Sequence, residues 1–92
     1  MRKYNEHVQD NMMRGIENRK RVYRFLVDYI TENLYPPSIR EICEGTGLSS
    51  TATVHNHLQI LELVGKIEIK DWSPRAIKLV GYKLVKDGES SG

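Results

Sequence analysis

Two adjacent prolines, Pro36 and Pro37, divide the chain and are followed at once by a helix-start signal. Proline lacks the amide donor and holds the residue before it in an extended conformation, so a preceding helix must end before this pair. Ser38 follows, and Glu41 stands three residues later, in the capping-box spacing in which each side chain satisfies an orphan amide. We therefore predict that a second helix opens at Ser38. Its apolar side is formed by Ile39, Ile42 and Cys43.

This second helix is predicted to be short, because Gly45 and Gly47 favour helix ends and stop it within about two turns. A third helix follows, capped by Ser49 or Ser50 and ended by Gly65. Its inward stripe is Val54, Leu58 and Leu61, and the corner before it is filled by Leu48. Two short helices joined by a tight turn that contains glycine form a helix-turn-helix, whose second helix enters the major groove of DNA.

The outward side of the third helix carries short or flat side chains, which can approach base edges and donate, accept or touch a thymine methyl. No acidic residue occurs between Ser49 and Leu61, whereas a merely solvated helix more often carries Glu and Lys. We predict base contacts from Ser50, Ala52, Thr53, His55 and Asn56. Asn56 is the best candidate for a bidentate contact, with adenine its usual partner. The alternative is that His55 and Asn56 are exposed helix residues without a DNA partner.

Catalysis and metal binding are not expected from this sequence. His55 and His57 cannot converge on one ion, since residues two apart on a helix point about 200° apart, and His57 is predicted to pack partly inward. The single Cys43 can form neither an internal disulfide nor the start of a zinc knuckle, and it is expected to be a small packed side chain. Neither a carboxylate cluster nor a nucleophile with a base is evident, so we predict no cofactor, no small-molecule ligand and no enzyme.

Upstream of the prolines, apolar residues at spacings of three and four predict a first helix from near Asn18 to about Asn33. Its core-facing residues are Val22, Phe25, Leu26, Tyr29 and Ile30. Gly15 is expected to interrupt the segment before this helix. Residues 1–14 are therefore either a separate short helical piece or a mobile arm.

After Gly65 the apolar residues alternate, which predicts strands over residues 66–70 and 76–80 joined by a loop over 71–75. This antiparallel hairpin is a wing, and its apolar residues Ile67, Ile69, Ile77 and Leu79 would cover the helices. Arg75 and Lys70 are predicted to touch phosphates or to reach a minor groove, while Trp72 either packs on the core edge or contacts DNA. The predicted fold is mainly α with a small antiparallel β-hairpin, a three-helix winged helix-turn-helix.

Charge is distributed unevenly, although the formal net charge is only +2. Residues 14–24 carry five basic residues and one acid, residues 28–62 carry one basic residue and five acids, and residues 63–86 carry six basic residues and two acids. If both basic segments share one face they form a stripe for a phosphate backbone, and otherwise they are scattered solvated charge. No apolar run is long enough for a membrane span or a signal peptide, so a cytoplasmic location is expected.

Residues from about 16 to 80 resemble the N-terminal DNA-binding domain of the LexA family, repressors of the bacterial SOS response, and look most like its Gram-positive branch. The residues that carry the resemblance are Tyr35 to Ser38, Arg40 to Ile42, Gly47, Leu48, Ser50, Thr53 to His55, His57, Leu58, Leu61, Glu62, Gly65, Ile67 and Pro74 to Ile77. The resemblance implies binding to an inverted-repeat operator in double-stranded DNA. It carries base contacts over to Ser50, Ala52, Thr53, His55 and Asn56, and a wing contact to Arg75. Contacts to the DNA backbone or from the wing are predicted for Ser38, Arg40, Ser49, Thr51, Lys70 and Arg75.

The resemblance also sets the expected organisation: an arm over residues 1–15, the DNA-binding domain over 16–80, and a tail or linker over 81–92. The family's C-terminal peptidase domain, with its Ser and Lys dyad, is not among these 92 residues, so we expect no self-cleavage. Because that domain supplies most of the family's dimerisation, this chain is expected to bind one half-site weakly, to form a homodimer on DNA, or to dimerise through an unfamiliar surface. Leu63 and Val64 form an apolar spot, which leaves open a winged-helix protein-interaction module that does not read DNA.

Overall fold

Three helices and a two-stranded antiparallel sheet make up the computed structural model, which describes residues 4–70 and 75–82, with side chains from residue 13 onward. The helices are α1 (Tyr4–Asn33), α2 (Ile39–Thr46) and α3 (Thr51–Leu63), and the strands are β1 (Ile67–Ile69) and β2 (Ile77–Leu79). The strands pair with Ile67 opposite Leu79 and Ile69 opposite Ile77. This architecture confirms the predicted winged helix-turn-helix, mainly α with a small antiparallel hairpin.

Helix α1 is longer than predicted. It begins at Tyr4 and continues through Gly15, so the predicted start near Asn18 and the interruption at Gly15 are wrong. One glycine inside a helix costs only about 1 kcal/mol relative to alanine, and the helical hydrogen bonds on either side of it outweigh that cost. The end at Asn33 agrees with the sequence, because Leu34 takes a positive φ of 66° just before the two prolines.

The core lies where α1 crosses α2 and α3, with the wing closing one side. Its buried apolar residues are Val22, Leu26, Ile30, Ile42, Val54, Leu58, Leu61, Ile67, Ile77 and Leu79. Of the five residues predicted to face the core from the first helix, three are buried, and Phe25 and Tyr29 are half-buried. Cys43 and Leu48 are half-buried and pack against this core, as their predicted roles require.

Helix α2 has the predicted capping box at its start. The Ser38 amide donates to Glu41 Oε1 at 2.8 Å, and the Glu41 amide donates to Ser38 Oγ at 3.2 Å. The helix ends at Gly47, whose φ of 80° is the left-handed conformation that glycine adopts without strain. Gly45, predicted to help end the helix, lies inside it instead, and three atoms of the Phe25 ring stand within 2.7 Å of where a Cβ would lie. Gly45 therefore allows α2 to approach α1 closely.

Helix α3 is capped by Ser50, the second of the two predicted candidates, whose Oγ accepts from the Thr53 amide at 3.2 Å. The predicted inward stripe is confirmed, since Val54, Leu58 and Leu61 are all buried. The helix ends before Gly65, which has a φ of 84° and lets the Lys66 amide donate back to the Leu61 carbonyl at 2.9 Å. The chain therefore turns directly from α3 into the wing.

Each wing strand is shorter than predicted, with three residues instead of five. The inward set is confirmed, because Ile67, Ile77 and Leu79 are buried and Ile69 is half-buried against the core. Residues 71–74 lie outside the described part of the chain, so the interpretations of Trp72 stay predictions, as does the tail predicted beyond residue 82. Across residues 4–70 and 75–82, no helix has the length and apolar character needed to cross a bilayer.

Candidate nucleic-acid interface

The N-terminal half of α3 presents the residues predicted to read bases. Helix α3 packs on both α1 and α2, so its inward side is fixed and the opposite side faces solvent. Four of the five predicted readers are exposed, namely Ser50, Ala52, Thr53 and Asn56. The fifth, His55, is half-buried. Ala52 and Asn56 are four residues apart and therefore lie one above the other on the helix.

Gln59 extends this outward row and was not predicted from the sequence. It stands three residues after Asn56, is exposed, and continues the side that Ala52 and Asn56 begin. Glutamine can make the same bidentate contact to adenine as asparagine. The spacing of three residues from Asn56 could have indicated Gln59 from the sequence. Gln59 was missed because the prediction covered only the first turns of the helix.

The predicted contacts to the DNA backbone lie at three places. Arg40 on α2 is exposed, as are Ser49 and Thr51 beside the start of α3, and Lys70 just after β1. Ser38 differs from these, because it is half-buried and its hydroxyl accepts from the Glu41 amide in the capping box. Any Ser38 contact with DNA would therefore come from a group already engaged in the fold.

The Arg75 side chain binds other residues of this chain. Its Nη1 donates to the Pro36 carbonyl at 2.8 Å and lies 3.0 Å from Glu41 Oε1, while Nη2 donates to Glu41 Oε2 at 3.1 Å. The guanidinium carbon is 4.8 Å from the centre of the Tyr35 ring, within cation–π distance. The DNA contact predicted for Arg75 stays a prediction, and in the protein alone this side chain joins the wing to the start of α2.

Three aromatic rings continue the contact from Arg75 toward the helix bundle. The Tyr35 ring meets Tyr29 edge-on with centroids 5.8 Å apart, and Tyr29 meets Phe25 at 5.6 Å. Phe25 is the ring that lies against Gly45. Such edge-to-face and tilted pairs are favourable beyond their buried area. The row therefore links the α1–α2 contact to the guanidinium of the wing.

The Glu41 carboxylate is strongly stabilised in its charged form. The hydrogen bond from the Ser38 amide, followed by that from Arg75, lowers the pKa of Glu41 from 4.5 to about 2. The same ion pair raises the pKa of Arg75 further above its ordinary value. Both groups are partly solvent-exposed, with side-chain exposures of 40% for Arg75 and 31% for Glu41. The pair is therefore fully charged at neutral pH, and its positive member is already neutralised by a carboxylate.

A second contact fixes the other strand of the wing. The Ile69 amide donates to Glu62 Oε2 at 3.1 Å, which ties β1 to the last turns of α3. Beyond the strands, the Lys70 amide donates to the Ala76 carbonyl at 3.1 Å and extends the pairing toward the loop. The wing is thus attached to α3 through Glu62 and to α2 through Glu41.

A cleft beside the C-terminal end of α3 is lined by three basic residues of the first basic segment and by one of the second. Its basic residues are Arg19, Lys20, Arg24 and Lys66, around apolar side chains that include Tyr23, Leu61 and Val64. Lys66 lies over the Tyr23 ring, with Nζ 5.4 Å from the ring centre. The predicted readers lie at the opposite end of α3. The apolar spot predicted at Leu63 and Val64 is exposed, with 85% of Leu63 accessible.

His57 packs inward, as predicted, and is 4% exposed. Its Nδ1 is buried without a hydrogen-bond partner among the described residues. Burial lowers the pKa of His57 below 6.5, and the positive charge of Arg19 lowers it further. His57 is therefore a neutral core residue at neutral pH.

Comparison with known proteins agrees with this geometry. Residues 13–76 match the family described as the LexA DNA binding domain. The chain is similar to the LexA repressor of Carboxydothermus hydrogenoformans, with 50% identity over 68 residues that cover 74% of this chain and 33% of that protein. It is also similar to the LexA repressors of Clostridium novyi (44% identity over 80% of this chain and 37% of that protein) and Caldicellulosiruptor saccharolyticus (47% over 70% and 32%).

The chain therefore spans about a third of the length of the relatives that it matches. The matched residues include all of α2, α3 and β1, and most of α1. The family's description names DNA binding, and the exposed, uncharged outward side of α3 is compatible with it. This chain belongs to the LexA DNA-binding domain family.

Proposed function

We propose that this protein is a transcriptional repressor, acting in the bacterial cytoplasm on the SOS response and binding one half of an inverted-repeat operator through each copy of the domain. Repression follows from occupancy of the operator, without a catalytic step by the described residues. The observation that carries the proposal is the outward side of α3, where exposed, uncharged side chains stand on a helix fixed by its buried face. The names of the relatives, all LexA repressors, support the same function.

The proposal divides the contacts into two classes. Base edges are read by Ser50, Ala52, Thr53, His55 and Asn56, with Gln59 as a further reader one turn along. Backbone phosphates are met by Arg40, Ser49, Thr51 and Lys70. Ser38 serves the capping box, and the partly exposed Arg75 guanidinium is bound by Glu41 and the Pro36 carbonyl. Phosphate contacts fix the register of a protein on DNA, and base contacts determine sequence preference.

The first experiment selects bound duplexes from a random DNA pool at moderate salt and measures affinity for the selected site. Two copies on an inverted repeat are expected to give half-sites with centres roughly 34–36 Å apart, or a multiple of that distance. A selected site with one unpaired half would contradict the homodimer on DNA. A pool without enrichment would contradict sequence-specific binding.

The second experiment tests the base readers through Asn56→Ala. Loss of one bidentate contact costs about 1–3 kcal/mol, which is roughly a 5- to 150-fold loss of affinity, and it relaxes preference at one base pair only. Thr31→Ala on α1 is the matched control, since Thr31 is also a neutral, exposed helix residue. An unchanged sequence preference in both Asn56→Ala and His55→Ala would show that α3 does not read the site as proposed.

The alternative of a protein-interaction module finds less support, because the family that the chain matches is described by DNA binding. The two functions differ in their response to salt. Affinity that falls steeply as salt rises indicates phosphate contacts, whereas an affinity insensitive to salt would favour the interaction module.

A further inference from the structure

We propose that Arg75 is a positioning residue, which holds the wing against the start of α2 by binding Glu41 and Pro36 and does not itself contact a phosphate. The effect of Arg75 on operator binding rests on the proposed DNA-binding function. The contact of Arg75 with Glu41 and Pro36 is present in the protein without DNA. It replaces the wing contact that the family resemblance implied for this residue.

The first argument is the number of donors that the protein already occupies. Arg75 uses Nη1 for the Pro36 carbonyl and for Glu41 Oε1, and Nη2 for Glu41 Oε2. This bidentate arrangement with a carboxylate is the geometry that guanidinium groups form most strongly. A phosphate would have to displace Glu41 to obtain the same donors. One face of the guanidinium is also covered by Tyr35.

The second argument is the backbone of Arg75. Its φ of 60° lies in the left-handed region, which is uncommon for a residue with a Cβ. Such a conformation persists when the surrounding structure over-determines it. Here the side chain of the same residue is fixed by three groups from another part of the chain. The strained backbone and the side-chain contacts together indicate that the fold holds Arg75 in one internal geometry.

The third argument is what the contact joins. Glu41 belongs to the capping box of α2, and Pro36 lies in the turn from α1 to α2. Arg75 stands two residues before β2, while β1 is tied to α3 by Glu62. Two anchors on two different helices fix the orientation of a two-stranded wing. Without the Arg75 anchor, the described part of the wing would keep its apolar packing, the Glu62 contact and the contact of Lys66 with the Tyr23 ring. The loop end of the wing, where Lys70 lies, would then be held less firmly.

Glu41→Gln distinguishes positioning from a phosphate contact. Glutamine can still serve the capping box, but it removes the charge that holds Arg75. If Arg75 positions the wing, Glu41→Gln and Arg75→Gln should each weaken operator binding by a similar factor, about 3- to 10-fold, and the double variant should be no weaker than either single variant. If Arg75 contacts a phosphate, Glu41→Gln frees its guanidinium, removes a negative charge, and should leave affinity unchanged or raise it.

Arg75→Lys separates the effect of the positive charge from the effect of the bidentate geometry. A lysine keeps the positive charge but cannot bridge Glu41 in the same bidentate way. Positioning predicts that Arg75→Lys binds about as weakly as Arg75→Gln. A phosphate contact predicts that lysine retains most of the affinity, and that Arg75→Gln, but not Glu41→Gln, lowers the slope of log affinity against log salt by about 0.9. Either of these last results would overturn the proposal.

A readout without DNA separates this inference from the proposed function. Hydrogen exchange of the Lys70 amide, which donates to Ala76, reports whether the wing is closed. Glu41→Gln and Arg75→Gln should both accelerate this exchange, whereas Lys78→Gln, an exposed residue on β2, should leave it unchanged. Unchanged exchange in the first two variants would overturn the positioning role even where the wild-type protein binds DNA. Failure of the wild type to bind DNA would count against the proposed function alone.

Discussion

Replacement of Gly45 by alanine tests how closely α2 approaches α1. Three atoms of the Phe25 ring lie within 2.7 Å of the added Cβ, about 1 Å closer than the 3.5–4.0 Å at which carbon atoms attract. Overpacking of this kind costs about 1–3 kcal/mol, whereas Gly→Ala inside a helix contributes about 1 kcal/mol in the opposite direction. We expect Gly45→Ala to lower the free energy of unfolding by up to about 2 kcal/mol.

The same substitution should change sign when the ring is absent. In a Phe25→Ala background the clash disappears, so Gly45→Ala should raise the free energy of unfolding by about 1 kcal/mol. The coupling between the two sites should then equal the overpacking cost of about 1–3 kcal/mol. Urea unfolding followed by far-ultraviolet circular dichroism measures all four proteins. Gly15→Ala is the matched control, because nothing lies within 4 Å of its added Cβ and only the gain in helix propensity remains. Additive effects at Gly45 and Phe25 would refute the close-approach explanation.

Two further predictions concern stability. The pKa of His57 is lower in the folded state than the ordinary 6.5 of an unfolded chain. Below about pH 6.5 the unfolded state therefore binds more protons than the folded state. The free energy of unfolding should decrease from there until the pH reaches the folded pKa. Urea unfolding between pH 7.5 and 5 should show this decrease, and a slope that persists unchanged in His57→Gln would assign it to other groups. Ser50→Ala should lower the free energy of unfolding by about 1 kcal/mol through loss of the α3 cap, while Ser49→Ala should leave it almost unchanged. Equal losses of stability in thermal unfolding would contradict the assignment of the cap to Ser50.

Local signals in the sequence predicted most of the fold. The Ser38 and Glu41 pair predicted the start of α2 because a capping box is a contact between residues three apart. The alternation after Gly65 predicted both strands, since a period of two places Ile67 and Ile69 on one face of β1 and places Ile77 and Leu79 on one face of β2. The row of exposed residues on α3 also followed from helical period alone. DNA contacts by those residues remain predictions until binding is measured.

What the sequence did not predict depends on distant contacts. Glycine is a frequent helix end, so Gly45 and Gly15 were both interpreted as breaks, whereas Gly45 lies inside α2 opposite Phe25, twenty residues earlier in the chain. Arg75 and Glu41 are 34 residues apart, and no periodicity relates them. A basic residue in a predicted wing resembles a phosphate ligand when its carboxylate partner is unknown. Whether a charged side chain is bound within the protein or is available to a ligand therefore depends on residues that are distant in sequence.

The row of rings from Phe25 to Tyr35 offers a spectroscopic reporter of the wing. Protons above the face of an aromatic ring resonate upfield, and the Arg75 side chain lies over the Tyr35 ring at 4.8 Å. The chemical shifts of the Arg75 side chain therefore report the fraction of time that the guanidinium spends on that ring. Because Tyr35 meets Tyr29 and Tyr29 meets Phe25, a displaced ring near Gly45 would alter the same resonances from the far end of the row.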